Sequence, residues 1–428
     1  GMTSALKRSV LATAVATLVA APAYATNGMN MEAYGAKAGG MGGASFAYDS
    51  GNSALMNNPA TLGLQKEGNS FGIGLTWLQP NVDTYMGEGT SGMNASSGGD
   101  SYLMPTLSFI RKTGKFTYGA GVLAQGGMGT EYGTNTFLSM GTGLPVRSEV
   151  GFGRLMFPLA YNVNDALTIA GQVDFVWAGM DLQMVTMDPN VGPVHIDFSN
   201  DSDFTGEATG TGWAFKLGAH YKINKAWSIG ATYHSKTDID DLEGNGSFSM
   251  LDPNNPMAGT YAAKYKVVDF QWPETYGVGV AWNATDKLML AADIKHIGWA
   301  DSMKDFRLAV DMGMGWNESV MPQNWDDQTI YMIGGQYMIA PSVALRAGYS
   351  YADNPIPDST LNPLFPATIK SHYTLGVGWN IGNGHTLAAS LAYAPEVEQT
   401  NPNMFGPGAA GTVTHSQTTW RVNYNYNF

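Results

Sequence analysis

The 428-residue chain offers few groups for covalent catalysis. It has no cysteine, which excludes thiolate chemistry, Cys-based metal sites and a disulfide framework. Its histidines, His195, His220, His234, His296, His372, His385 and His415, never fall in a His-Glu-x-x-His spacing. No Gly-x-Ser-x-Gly nucleophile elbow occurs. No metal or cofactor is therefore expected. Binding chemistry is better represented. Arg154, Lys216, Arg346 and Arg421 each stand on the polar parity of an alternating run. A guanidinium or ammonium over an apolar lumen could bind a carboxylate head group. The alternative is that each pairs with an acidic side chain and merely packs the interior, since buried charges are normally paired. Arg421, close to the chain end, is the weakest candidate. A second group, Phe137, Leu138, Met140 and Leu144 with Met184, Val185 and Met187, is apolar and rich in methionine. Flexible, polarisable thioethers suit variable apolar ligands, although such residues could also only cover an opening.

The elements that must position these groups are strands. Trp420, Val422, Tyr424, Tyr426 and Phe428 alternate with Arg421, Asn423, Asn425 and Asn427. The same period of two runs through Tyr373 to Ile381, Trp213 to Tyr221 and Val343 to Tyr351. Successive strand side chains point to opposite faces, so each run has one apolar and one contrasting face. A soluble sandwich also alternates, but here the second face is mostly Gly, Ala, Ser and Thr, and aromatics mark the ends of the apolar stripe as in a membrane girdle. Strands are expected near 69–79, 100–112, 114–126, 147–163, 165–183, 206–223, 225–240, 262–283, 285–302, 327–340, 342–353, 369–382, 384–397 and 412–428. Their connections alternate between turns and long segments rich in Gly, Asn, Asp, Pro and Met, the layout of outer-membrane barrels. A sheet in lipid must close, because an open edge would leave backbone groups unpaired. The expected fold is thus all-β: a 14-stranded antiparallel transmembrane β-barrel over residues 69–428, its outer face against outer-membrane lipid and lipopolysaccharide. Its final Phe428 resembles the terminal aromatic that barrel-assembly machinery reads.

The front of the chain reads differently. Lys7 and Arg8, the apolar run Val10 to Ala21, and Ala23-Tyr24-Ala25 match a secretory signal peptide over residues 1–25. A net charge of −13 argues against nucleic-acid binding, which needs a basic surface. Residues 26–68 do not alternate. They are apolar and Gly-rich, unlike a disordered tail, and could fold back as a plug inside the lumen. Asp49 or Ser50 could cap a short helix through Leu55 and Met56, which Pro59 would stop at Asn58.

Tyr34-Gly35-Ala36-Lys37, Gly40-Met41-Gly42-Gly43-Ala44 and Asn58-Pro59-Ala60 resemble the plug pattern of the FadL/TodX outer-membrane transporters. Met321-Pro322, Trp325-Asp326-Asp327, Leu345-Arg346-Ala347-Gly348-Tyr349-Ser350-Tyr351 and Asn354-Pro355-Ile356-Pro357-Asp358 extend the similarity. The resemblance implies a barrel with a plug called the hatch, a lateral opening at a kink in the third strand, and a monomer. It implies uptake of hydrophobic compounds by ligand-gated passive diffusion. Long-chain fatty acids are the leading substrate, and aromatic hydrocarbons of the toluene type the alternative. Ligand contacts would fall to Arg154, Lys216, Arg346, Phe137, Leu138 and Met140. Gating would fall to Asn58, Pro59 and Ala60 of the plug and to Gly126 and Gly127 of the third strand. Family members often carry a proline near the kink, but Val122 to Gly129 contains none, although paired glycines can also mark a bend. A general porin is disfavoured by the few charges of inward parity, and a barrel enzyme by the motif search. An adhesive barrel remains a further alternative.

Overall fold

The computed structural model describes residues 29–188, 190–201, 206–364 and 366–428. The expected signal peptide lies outside the described residues. The first strands are Gly68–Met86 (β1), Asn94–Ser96 (β2), Tyr102–Thr113 (β3), Phe116–Gly133 (β4), Val146–Asn162 (β5) and Leu167–Asp188 (β6). Gly192–Phe198 (β7), Ala208–Lys222 (β8), Trp227–His234 (β9), Asp238–Ile239 (β10), Leu242–Met250 (β11), Gly259–Val267 (β12) and Thr275–Asn283 (β13) follow. Then come Leu288–Ile297 (β14), Asp305–Asp311 (β15), Trp316–Pro322 (β16), Gln328–Ala340 (β17) and Val343–Ala352 (β18). Ser371–Gly382 (β19), His385–Asn401 (β20) and Gly411–Asn427 (β21) complete the sheet.

Antiparallel pairing passes from β1 through β3, β4, β5, β6, β8, β9, β13, β14, β17, β18, β19 and β20 to β21. It closes where β21 pairs with β1, from Ser70 opposite Asn427 to Met86 opposite Gly411. Closure leaves no open edge, the condition for a sheet in hydrocarbon. The whole sheet holds 21 strands rather than the fourteen expected. Some of the difference lies in segments read as long connections, which pair among themselves: β7 returns along β6 and β11, β11 pairs with β12, and β15 joins β12 to β16. Two expected strands are also divided, 225–240 into β9 and β10 and 262–283 into β12 and β13, and a third is shortened. The span 262–283 breaks between β12 and β13, where Asp269 adopts a left-handed φ of 50° and Pro273 can donate no ladder bond. The span 285–302 ends as β14, followed by a helical turn at Trp299–Ser302.

The turns expected after β3, β5, β8, β13, β17 and β19 all join paired neighbours, and they gather at one end. By the convention of such barrels this end faces the periplasm. The outer surface carries an apolar belt, with Ile73, Leu75 and Trp77 on β1, Trp213, Phe215 and Leu217 on β8, and Tyr373, Leu375, Val377 and Trp379 on β19. A continuous belt of this kind would be a liability in water and is what lipid requires. Arg154, Lys216 and Arg421 point the other way and are fully buried.

Residues 29–64 lie against the inner face. A short helix, Ala36–Gly40 (α1), packs on β18, β19, β20 and β21. The 3-10 turn Gly51–Leu55 reaches β3, and the turn Pro59–Leu64 packs on β4, β5, β6 and β8. Ser50 occupies the N-cap of the first turn without a side-chain cap bond, while Asp49 accepts from the Gly51 N–H at 2.9 Å. The wall accommodates this segment through glycine. A Cβ at Gly230 would lie 1.8 Å from the Phe46 carbonyl oxygen, and one at Gly348 would lie 2.1 Å from the Gly42 nitrogen. Small residues on the inward parity therefore let a second layer of backbone approach.

Candidate functional site

One interval of the wall is not paired. The β3–β4 ladder runs from Thr113 opposite Phe116 to Leu107 opposite Val122 and stops. Beyond it, Tyr102 to Thr106 pair with β1 and Leu123 to Gly133 with β5 among the strands, while the segment after β2 reaches only the far end of β4, where the Gly98 N–H donates to the Glu131 carbonyl at 2.5 Å. Two features favour the break. Pro105 on β3 carries no N–H, so it can donate to neither neighbour. Across from it, β4 has a register shift between Ala124 and Gly126, where Gly126 has a φ of 153°. Such a bulge bends a strand and terminates pairing. The proline sought on the third wall strand thus has a counterpart on the strand before it.

The N-terminal segment meets the break. Asn30 forms an isolated antiparallel bridge with Gly126. The Tyr34 hydroxyl lies within hydrogen-bonding reach of the Gln125 carbonyl and of Asn30 Oδ1, the latter at 2.8 Å. Burial pushes the Tyr34 phenol above its ordinary pKa, and Arg154 acts in the opposite direction. A Cβ on Gly126 would sit 2.4 Å from the Met29 carbonyl oxygen and 3.0 Å from the Trp272 ring. The site needs glycine there on both conformational and steric grounds.

Trp272 begins a buried aromatic column. Its ring lies 4.9 Å from Phe152 and 6.1 Å from Trp299, and Trp299 lies 5.2 Å from Trp325. Phe270 joins Phe152 to Phe306 at 5.6 and 5.7 Å. Most of these contacts are tilted or edge-to-face, the arrangement aromatic quadrupoles favour. Trp299 donates to Gln328 Oε1 at 2.8 Å, whereas the buried Trp325 Nε1 has no acceptor among the described residues. Sequence reading missed this column because Phe270 and Trp272 were absorbed into one long strand, and Trp299 into another. The usable signal was the break itself, Phe270-Gln271-Trp272-Pro273.

The expected site residues do not converge. Arg154 and Lys216 share Asp174: Arg154 Nη1 reaches Asp174 Oδ2 at 2.8 Å, and the Lys216 ammonium pairs with the same oxygen. Arg154 Nε also donates to Gln125 at 2.6 Å. Gln172 bridges Asp174 at 2.8 Å to the Leu55 carbonyl of the N-terminal segment at 2.9 Å. Both cations are therefore engaged inside the packing but share a single carboxylate, and Arg154 Nη2 has no partner among the described residues. Arg421 pairs with Glu32 at 2.7 Å. Arg346 differs: Nε donates to Gln336 at 2.8 Å, and no acidic side chain pairs with it among the described residues. Phe137 and Leu138 pack on the main apolar cluster, Phe137 edge-on to Phe405 at 5.8 Å. Met140 instead faces out in a left-handed conformation.

The two expected gating groups are separate. Asn58 caps the Pro59–Leu64 turn, accepting from the Ala60 N–H at 3.2 Å, and donates to the Phe46 and Ala219 carbonyls at 2.9 and 3.2 Å. This places Asn58, Pro59 and Ala60 on the β8 side of the wall. Gly126 and Gly127 stand on β4, where Gly127 pairs with Gly151. Asn30 and Tyr34, not Asn58, touch the break. Among the described residues no cluster of His, Asp or Glu could hold a metal. Ser350 Oγ and His372 Nδ1 approach to 3.3 Å, but His372 Nε2 has no partner to orient the ring, so the triad logic is incomplete.

A closed barrel with an apolar belt, an inward-packed N-terminal segment and a side break define an outer-membrane transport barrel. The chain belongs to the outer membrane protein transport protein family (OMPP1/FadL/TodX), whose profile matches residues 12–428. The crystal structure of the Pseudomonas putida toluene transporter TodX is similar at a TM-score of 0.83 and 28% identity, covering 93% of this chain and 99% of that one. An uncharacterized protein from the 5′ region of the phosphoenolpyruvate carboxykinase gene of Chlorobium limicola is 55% identical over 85 residues, 19% of this chain and 42% of that protein. Outer membrane protein P1 of Haemophilus influenzae is 23% identical over 321 residues, 68% of this chain and 65% of that protein. The chain thus spans less than two thirds of either of these last two relatives.

Proposed function

We propose that this protein is a passive channel through which small hydrophobic compounds enter across the outer membrane, with residues 26–68 acting as the plug, or hatch, and aromatic hydrocarbons as the leading substrate. The observation that carries the reading is the unpaired β3–β4 interval, met from inside by the aromatic column at Trp272. An apolar ligand would pass from the outer loops along Trp325, Trp299 and Trp272. It would displace the Asn30 and Tyr34 contacts at Gly126 and leave sideways into lipid. That route spares it the aqueous periplasm, and a ligand gradient is driving force enough. The toluene transporter among the similar structures supports an aromatic ligand. So does the pairing of Arg154 and Lys216 with Asp174, which ties both cations to one wall carboxylate. Arg346 alone favours the fatty-acid reading, because it lacks an acidic partner. The protein acts as a monomer and not as an enzyme. Its belt faces outer-membrane lipid and lipopolysaccharide after insertion by the barrel-assembly machinery.

The test is entry of labelled toluene and, separately, labelled oleate into cells lacking a channel of this kind. The cells would express the intact chain or Gly126→Val at matched outer-membrane levels. Toluene entry above the empty vector, lost in the variant, is expected. Oleate entry alone would move the assignment to fatty acids, and entry of neither would remove both.

A further inference from the structure

The outer end of the aromatic column carries polar atoms that no neighbour satisfies. Burial alternates along β16 and past its end: Glu318, Val320, Pro322 and Asn324 are exposed, whereas Ser319, Gln323 and Trp325 are buried and Met321 is half-buried. The inward stripe is thus Ser319, Met321, Gln323 and Trp325, the period of two expected of a strand. It continues beyond Pro322 because the Gln323 and Trp325 N–H groups still donate across to the Lys304 and Met303 carbonyls, at 2.8 and 3.2 Å. Opposite residues of an antiparallel pair share a face, so Met321 meets Phe306 and Ser319 meets Leu308. Phe306 belongs to the column, and the Trp325 ring lies 5.2 Å from Trp299. In this apolar setting Ser319 Oγ, Gln323 Nε2, Gln323 Oε1 and Trp325 Nε1 are buried without a hydrogen-bond partner among the described residues. Gln323 is wholly enclosed, at 0% exposure. Only its backbone is tied down, its carbonyl accepting from Thr360 Oγ1 at 2.6 Å. A buried amide that bonds to nothing is costly, and an apolar side chain of similar shape would do better for stability alone. Its presence here points to a guest that supplies the missing bonds.

We propose that Gln323 and Trp325 form a hydrogen-bonding subsite at the outer end of the aromatic column, which takes the hydroxyl of a phenol-type compound while Trp299 and Phe306 hold its ring. This rests on the reading of the column as the place where an aromatic ligand binds. The Trp325 indole N–H and the Gln323 amide N–H donate to the ligand oxygen, and Gln323 Oε1 accepts from its O–H. A hydroxyl can both give and take, an ether oxygen can only accept, and a bare hydrocarbon does neither. No cation completes the site for a carboxylate: neighbouring Lys304 is exposed, and Arg307 is held by Glu318. A site built to bond a hydroxyl rejects the analogue that lacks it, because its own buried groups are then left unpaired.

The test is equilibrium dialysis of the full chain, purified in a non-ionic detergent, against labelled p-cresol, 4-methylanisole and toluene, with uptake into empty micelles subtracted. p-Cresol should bind at least about fivefold more tightly than toluene, with 4-methylanisole between them. Gln323→Leu should bring p-cresol and toluene close to parity. Trp325→Phe keeps a ring but loses the donor, and should also reduce the preference. It keeps the test open if Gln323→Leu does not assemble, which heat-modifiable mobility on gels reports. Parity of the three compounds on the intact chain would overturn the proposal and assign the orphaned atoms to water. So would a folded Gln323→Leu variant that keeps the full preference for p-cresol. Binding is read apart from transport, so the two readings fail separately. Toluene entry without a cresol preference removes the subsite alone, and a cresol preference in a chain that admits no toluene removes the toluene channel alone.

Discussion

Asp174 decides what Arg154 and Lys216 can do. Alternation placed both cations on the inward parity, and the structure puts them there. What the period of two could not reveal was the acid between them, because Asp174 stands 20 residues from one and 42 from the other. Pairing is a property of strand register, and register follows from the closed sheet, not from any one segment. With the triad intact, the net charge on this part of the interior is small and the ligand route stays apolar. Asp174→Ala would strand two buried cations. It should cost about 3–5 kcal/mol, read as a lowered urea midpoint of the purified barrel in micelles. Joint replacement of all three by apolar residues of similar volume should restore most of the loss. If Asp174→Ala unfolds at the wild-type midpoint, the three charges are solvated and the argument against a carboxylate in this part of the lumen fails.

Among the elements, the strands were the most legible, because lipid on one side and packed interior on the other impose a clean alternation. Legibility fell where a segment met neither environment. The strands β7, β11, β15 and β16 rise from the outer end and pair with one another or with β12, so their composition resembles that of loops. The N-terminal segment was legible as apolar and Gly-rich, but its seat was not. That seat depends on glycines of the wall, far away in sequence, meeting the backbone of residues 40–46. Gly348→Val should therefore dislodge the segment, since its new side chain would occupy the place of the Gly42 nitrogen. Chymotrypsin should then cut the folded barrel after Tyr34 or Phe46, and conductance across a planar bilayer should rise. Gly171→Val, where a Cβ meets nothing within 4 Å, is the matched control. Protection of Gly348→Val equal to that of the control would show that the segment adapts without leaving.

The proposed lateral exit and the cavity at the short-turn end would make opposite demands on a ligand. The side break offers an apolar path between β3 and β4 and ends in lipid. The cavity at the short-turn end is lined by Lys37, Lys66 and Arg346 together with Asp49 and Glu67. A molecule without charge gains nothing from the second and avoids desolvating the charged side chains there by taking the first. The first missing rung of the β3–β4 ladder would pair Thr106 with Leu123, next to Leu107 opposite Val122. Because the chain has no cysteine, Thr106→Cys combined with Leu123→Cys adds a thiol pair whose chemistry is unambiguous. Adjacent rungs of an antiparallel pair fall within disulfide range, so mild oxidation should stitch the break from its base. Toluene entry into cells carrying the oxidised barrel should drop several-fold and return on reduction, while each single variant responds to neither treatment. An oxidised barrel that still admits toluene at the reduced rate would place the exit at the short-turn end, and the cations there would then have to be tolerated by an uncharged ligand on its way through.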